Sequence, residues 1–354
     1  MNKYQEYWKA RNEAMFLKGE KDILDFAEEL EKNYKKAIRN LEDQINIFYG
    51  KYAREAQMSI LDVKKLLNKS ELKSFKEYIK DMRDYAKSHN MENSYIRELK
   101  LTSLKSRISR LEELKVKMRF EVEKLNNEIT LKMQGKLSDV YAEGYYKTHF
   151  NFDKLVGISS SFTELNTPAI LKAIRTNYMT ENYSQVLWRN KNTLLNILNQ
   201  KIPQGIMLGQ NPNKVASIAS KQLGSNYKAT VRLVRTEYNL ILNDAAAKSY
   251  SECGLDRYQL LATLDDRTSE ICQDMDMQIF FIKDKEVGVN YPPFHPNCRT
   301  TTIPYFEPDE FDKTVERIAR DNKGDKYMVP GNISYRQWKS GLVKGKDGVT
   351  RYKS

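Results

Sequence analysis

The residues best suited to chemistry lie between Asp265 and Arg299. That stretch holds two of the chain's three cysteines and one of its three histidines. His295 and Cys298 stand in an H-x-x-C spacing that lets both side chains converge from one tight turn, and Cys272 can be returned to them across a hairpin. Two thiolates and an imidazole suit Zn²⁺, with Asp265, Asp266, Asp274 or a water completing the set. Such an ion would staple a module with a small core. A second chemistry uses the same stretch. Arg267 and Arg299 beside Asp265 and Asp266 can form an Arg–carboxylate lock that fixes the loops, with Arg235 and Glu237 as further members. The sequence leaves both readings open.

The flanking pattern predicts how these residues are held. Tyr258–Thr263 and Ile279–Ile282 read as short strands around the polar stretch, and Pro292, Pro293 and Pro296 mark turns. Ahead of them, Tyr227–Tyr250 reads as a helix carrying Arg235-Thr236-Glu237. Tyr183–Leu198 reads as another, with a turn around Gly209 and Pro212 and a new helix from Asn211. The Gly205–Lys214 run lacks the Gly-Lys-Ser/Thr end of a phosphate loop. Pro168 reads as a first-turn proline after a Thr167 cap.

The first 150 residues predict long amphipathic helices. Phe26, Leu30, Tyr34, Ala37, Leu41, Ile45 and Phe48 recur every three or four residues, and a second run extends from Ile96 to Ile129. Between them, Ser59–Tyr85 reads as one or two shorter helices, with a start signal at Asn68. Residues Gly144–Asn166, aromatic and then Ser-rich, read as a linker or domain edge, and His149 as a packing residue. The tail reads as a helix over Phe311–Arg320 followed by a mobile end.

The fold class expected is thus mainly α with a small α+β C-terminal module, divided as 1–150, 151–254, 255–306 and 307–354. No run of 18 uncharged apolar residues exists, and the charged amino terminus has no leader-like apolar segment, so neither membrane insertion nor secretion is expected. Three cysteines are too few for a disulfide framework and fit a reducing compartment. The formal charge is +12, spread unevenly: 12 basic against 5 acidic residues over 151–250, but 5 against 9 over 251–300. A basic helical body suits a polyanion, and Lys214, Lys221, Lys228, Arg232 and Arg235 are the candidate DNA contacts.

Taken in order, Arg235-Thr236-Glu237, Asp265-Asp266-Arg267-Thr268, Cys272 and Pro292-Pro293-Phe294-His295-Pro296-Asn297-Cys298-Arg299 resemble the Mu-F-like head-morphogenesis family of tailed bacteriophages. The resemblance covers roughly residues 165–306. It implies a minor head protein in few copies, inside the capsid beside the portal protein and assembled in the host cytoplasm. Expected partners are the portal, the major capsid or scaffolding protein and double-stranded DNA bound without sequence preference, and the protein would leave with the genome. It implies no catalysis and no obligatory cofactor, zinc being the one candidate. The chain departs from the family at Ser269 and Thr300, where cysteines are frequent, and at Met277, where glycine is usual. Two alternatives stand beside this reading. One is a metal-dependent nuclease using His295 and Cys298, which the His295–Asn297 pair resembles. The other is a scaffolding adaptor acting through its helices alone. About fifty residues follow Arg299, short for an added catalytic domain.

Overall fold

The computed structural model describes residues 3–52, 64–156, 163–306, 316–330, 333–345 and 349–352. Seven helices come first: α1 (Lys3–Tyr52), α2 (Lys69–Ser88), α3 (Asn93–Leu104), α4 (Arg110–Val156), α5 (Thr167–Ala173), α6 (Tyr183–Met207) and α7 (Pro212–Glu252). The predicted apolar stripe of α1 is buried along its length, from Phe26 to Phe48. Asn68 caps α2 through a capping box with Glu71, as the start signal requires.

Three sequence-level expectations for the helices need correction. The Ile96–Ile129 run is two helices, because Lys105 turns extended and a second box forms between Ser109 and Glu112. The aromatic residues Tyr145 to Phe152 belong to α4 instead of a linker, while Ser159, Ser160 and Ser161 lie outside the described residues. The cap of α5 is Asn166, one residue earlier than expected, since its side chain accepts from the Ala169 amide. The Gly209 turn is as predicted: Gly209 has φ +68°, and Asn211 caps α7.

The chain divides into two units, each drawn from separated segments. One comprises residues 26–132 and 184–231. Here Tyr34 shares hydrogen bonds with Asn226 (2.6 Å) and Thr230 (2.8 Å), and Lys191 meets Glu123 at 2.9 Å, both side chains buried. A second apolar centre of this unit packs α2, α3 and the start of α4 around Phe75, Ile79, Tyr95 and Leu99.

The other unit comprises residues 1–25, 133–183 and 232–354 and contains the candidate site. Its sheet is antiparallel, in the order β2 (Ile279–Phe281), β1 (Arg257–Leu261), β3 (Thr301–Pro304). Tyr258 stands opposite Phe280, and Gln259 opposite Ile303. A six-residue helix, α8 (Glu270–Met275), joins β1 to β2. Trp8 of α1 and Tyr250 of α7 close the core around Tyr258, Leu260 and Ile303. Two or three short strands and a Cys/His turn were the sequence expectation, and the sheet has three.

The tail differs from the reading made on sequence. Residues 311–315 lie outside the description, but Glu316–Arg320 is a strand, β4, paired antiparallel with β5 (Lys326–Pro330). Asp321 and Gly324 make the turn, Gly324 at φ +92° and Asp321 accepting from the Lys323 and Asp325 amides. Then α9 (Tyr335–Ser340) and a hairpin of β6 (Leu342–Lys344) and β7 (Thr350–Tyr352) follow. Tyr335 and Trp338 pack with Leu264, Ala319 and Val329, so this part of the tail has its own core against the module.

Candidate metal centre and the polar lock

Helix α7 holds the turn that carries His295 and Cys298. Thr236 donates to the Arg232 carbonyl and accepts from the Asn297 amide at 3.1 Å. One turn on, Asn239 donates to the Thr300 carbonyl (2.9 Å), and Asn243 accepts from the Thr302 amide (3.1 Å). Tyr250 donates to the Thr302 carbonyl (3.0 Å). These contacts recur at helical spacing and satisfy one edge of β3, which would otherwise bury unpaired backbone. Asn297 sits at φ +63°, a conformation Asn tolerates better than most side chains, and this fits it to the turn.

The turn brings His295 and Cys298 against Cys272 at the start of α8, and the three ligand atoms lie within 4.8 Å of one another. The sulfurs are 3.8 Å apart, and His295 Nε2 is 3.2 Å from Cys272 Sγ. A tetrahedral ion with Zn–S bonds near 2.3 Å places two thiolates about 3.8 Å apart, which this pair matches. The ring of His295 is set for such a role. Its Nδ1 lies 2.9 Å from the Pro296 carbonyl, which can only accept, so the proton belongs on Nδ1 and Nε2 offers its lone pair to the centre. The contact between the two sulfurs holds the Cys298 thiol down against the effect of burial and pushes Cys272 up. A bound ion would displace the protons of the pair.

None of the three aspartates considered as a fourth ligand belongs to this cluster. Asp265 is committed to Arg299, Asp274 pairs with Arg336 at 2.6 Å, and Asp266 is exposed. The neighbour that sequence reasoning passed over is Ser269. Its hydroxyl caps α8 and lies 2.8 Å from His295 Nε2. The Ser269-x-x-Cys272 spacing before a short helix was the available signal.

The Arg–carboxylate lock is a two-pronged pair. Arg299 donates through Nη1 (2.5 Å) and Nη2 (2.6 Å) to the two oxygens of buried Asp265. Burial pushes the Asp265 carboxyl up, but Arg299 and the Arg267 amide outweigh it and the net shift is downward. Arg267 is largely exposed and reaches Asp265 only at 3.8 Å. Arg235 and Glu237 are not brought to this pair. Arg235 is half-buried and borders a cavity of about 680 Å³, which Asn12, Arg267, His295, Asn297 and Arg299 also line. Glu237 is 1% exposed with Oε2 unpaired, and burial pushes its carboxyl up to about 8.

Asp276 was also missed. Buried, it accepts from the Ala262 and Tyr335 amides, both at 2.8 Å, and so ties the tail to the module. His149, expected to pack, is buried against the Tyr145 ring and lies 3.3 Å from Glu252. Met277 takes the left-handed conformation (φ +67°) that a glycine would adopt at no steric cost. Among the described residues, no helix is long and apolar enough to cross a membrane.

Comparison with known proteins returns the same region. Residues 196–303 match the family described as "Phage Mu protein F like protein". An uncharacterized protein of Haemophilus influenzae is 24% identical over 170 residues, 48% of this chain and 37% of that protein. The NAD(+)--arginine ADP-ribosyltransferase EFV of Enterococcus faecalis is 20% identical over 216 residues, 57% of this chain and 43% of that protein. The chain thus spans about two-fifths of the length of these curated relatives. No solved structure matches it. The matched segment runs from α6 to β3 and includes Thr236, Asp265, Cys272, His295, Cys298 and Arg299, so residues 196–303 are similar to the phage Mu protein F-like family over the segment that builds the site.

Proposed function

We propose that the chain is a minor head protein of a tailed phage. It acts inside the capsid beside the portal protein, contacts the major capsid or scaffolding protein during assembly in the host cytoplasm, and touches packaged double-stranded DNA. Leaving with the genome at ejection belongs to the same reading. The observation that carries it is the family match over residues 196–303, the segment that builds the site.

The chemistry of the site supports a structural role. Asp265 and Arg299 neutralise each other, Asn297 makes a turn, and the Cys272–His295–Cys298 set fits a zinc ion that would cross-link α8 to the loop before β3. Catalysis by the module is the second reading, favoured only by the cavity that His295 and Arg235 border. Metal-dependent nicking of plasmid DNA that disappears in His295→Ala would establish it. The transferase activity named for the Enterococcus relative is not assigned to this chain.

DNA contact is proposed for α7. Lys214, Lys221 and Lys228 recur every seven residues, share one helix face and are exposed; Arg232 and Arg235 follow on the same helix. None of the five forms an ion pair among the described residues. Such contact should depend steeply on salt, because each phosphate neutralised releases counterions. With about six contacts, affinity for an unrelated duplex should fall about 10³-fold between 50 and 200 mM salt. Affinity that stays constant over that range contradicts the DNA reading.

A further inference from the structure

Helix α2 sorts its charges. At 100° per residue, Lys69, Lys73, Lys76, Lys80, Arg83 and Lys87 all fall within about 40° of one line along the helix. Glu77, Asp81 and Asp84 fall about 60–120° to one side, and Glu71 is on the far side, where it completes the capping box. The buried residues Phe75, Ile79, Met82 and Ala86 fall about 80–140° to the other side. With 18 helical rises between Lys69 and Lys87, the six cations form a strip about 27 Å long.

The strip is uncompensated. A solvated helix commonly lays Glu and Lys four apart so that they pair, and Lys73–Glu77 and Lys80–Asp84 have that spacing. Among the described residues, none of the six cations makes an ion pair. Lys69, Lys73, Lys80 and Lys87 are exposed, while Arg83 buries an Nε that has no hydrogen-bond partner. The lysine end borders an open groove of about 450 Å³, lined by Lys69, Leu72, Lys73, Lys76, Glu77 and Lys80. Six like charges on one line repel one another, and a polyanion with regular charge spacing relieves that repulsion.

We propose that this strip is a second nucleic-acid contact, one that takes the phosphate backbone of duplex DNA independently of α7. It rests on the DNA reading above and deepens it. Duplex DNA carries one charge per about 1.7 Å of axis, so a 27 Å strip faces more phosphates than it has cations. The contacts proposed are to phosphates, which position the protein and carry no sequence information.

The test uses the full chain and a 30-base-pair duplex of arbitrary sequence, with affinity measured by fluorescence anisotropy from 50 to 300 mM salt. Two triple variants, Lys73→Gln/Lys76→Gln/Lys80→Gln and Lys214→Gln/Lys221→Gln/Lys228→Gln, are compared with the parent. Circular dichroism confirms that each is folded. The α2 variant should flatten the slope of log affinity against log salt by about 2.7, three phosphates at about 0.9 each, and the two sets should add. A parent that binds, with an α2 variant of unchanged slope and an α7 variant of reduced slope, overturns the α2 assignment and leaves the DNA reading intact. A parent that does not bind overturns both. Poly-glutamate or anionic phosphatidylglycerol vesicles binding the parent as tightly as DNA, with the same dependence on Lys73, Lys76 and Lys80, would also overturn it.

Discussion

His295 uses its two ring nitrogens differently. Nδ1 is tied to the Pro296 carbonyl and Nε2 faces Cys272. That asymmetry, with sulfurs 3.8 Å apart, makes a metal role specific enough to fail. The purified protein should carry about one zinc per chain. Cys298→Ser should lose it, and a chelator should lower the melting temperature of the parent while leaving the variant unmoved. A parent that is metal-free and indifferent to chelator removes zinc from the account. Glu237 makes a separate prediction. Its folded value near 8 lies above that of an exposed glutamate, so between about pH 4 and 8 the folded state holds a proton that the unfolded state has released. Stability should therefore fall as pH rises through that window and level off above it. Glu237→Gln keeps the shape without the charge. It should remove this dependence and stabilise the protein at pH 8 by an amount on the order of a few kcal/mol. Denaturant melts at pH 5 and pH 8 check it; equal pH dependence in both proteins would show that Glu237 is not the group responsible.

At the scale of elements, α7 acts as the mount for β3 and the turn that carries His295 and Cys298, and Asn243 is its central fixing. It is buried, donates to the Asn239 carbonyl and accepts from the Thr302 amide. Asn243→Leu should cost about 2 kcal/mol through the unpaired amide it leaves in β3. If the module's zinc content fell together with stability, the mount would be shown to act on the site. A stability unchanged to within about 0.5 kcal/mol would mean that β3 does not depend on this contact. Such fixings explain what the sequence could and could not tell. Strands β1 and β2, the α2 cap and the Gly209 turn were legible because each rests on a local pattern: a short apolar run between polar stretches, capping residues or a glycine at positive φ. The break between α3 and α4 was also written locally, in Ser109-Arg110-Leu111-Glu112, but the continuing apolar period of the neighbouring residues masked it. Strand β4 was missed because Glu316–Arg320 has no period of its own, and its partner Lys326–Pro330 and the Asp321–Gly324 turn decide it. Within the site, the Cys/His set was legible from spacing. Ser269 and Asp276 were not, since their roles depend on partners 26 and 59 residues away. Arg235 and Glu237 show the converse: adjacency to a motif put them in the lock on paper, and helical geometry turns them elsewhere.

For the whole molecule, the net charge of +12 is less informative than its sorting. The strand-bearing module is acidic overall, whereas uncompensated cations lie along α2 and α7. That arrangement supports the DNA contacts proposed for α7 and α2. The central claim is membership of the phage head, and it is tested most directly by quantitative mass spectrometry of purified DNA-filled heads from the phage that encodes this chain. Peptides from residues 3–306 should be present at a few copies per head and protected from added protease until the capsid is opened. Their absence from filled heads and from portal-containing assembly intermediates alike would contradict the account.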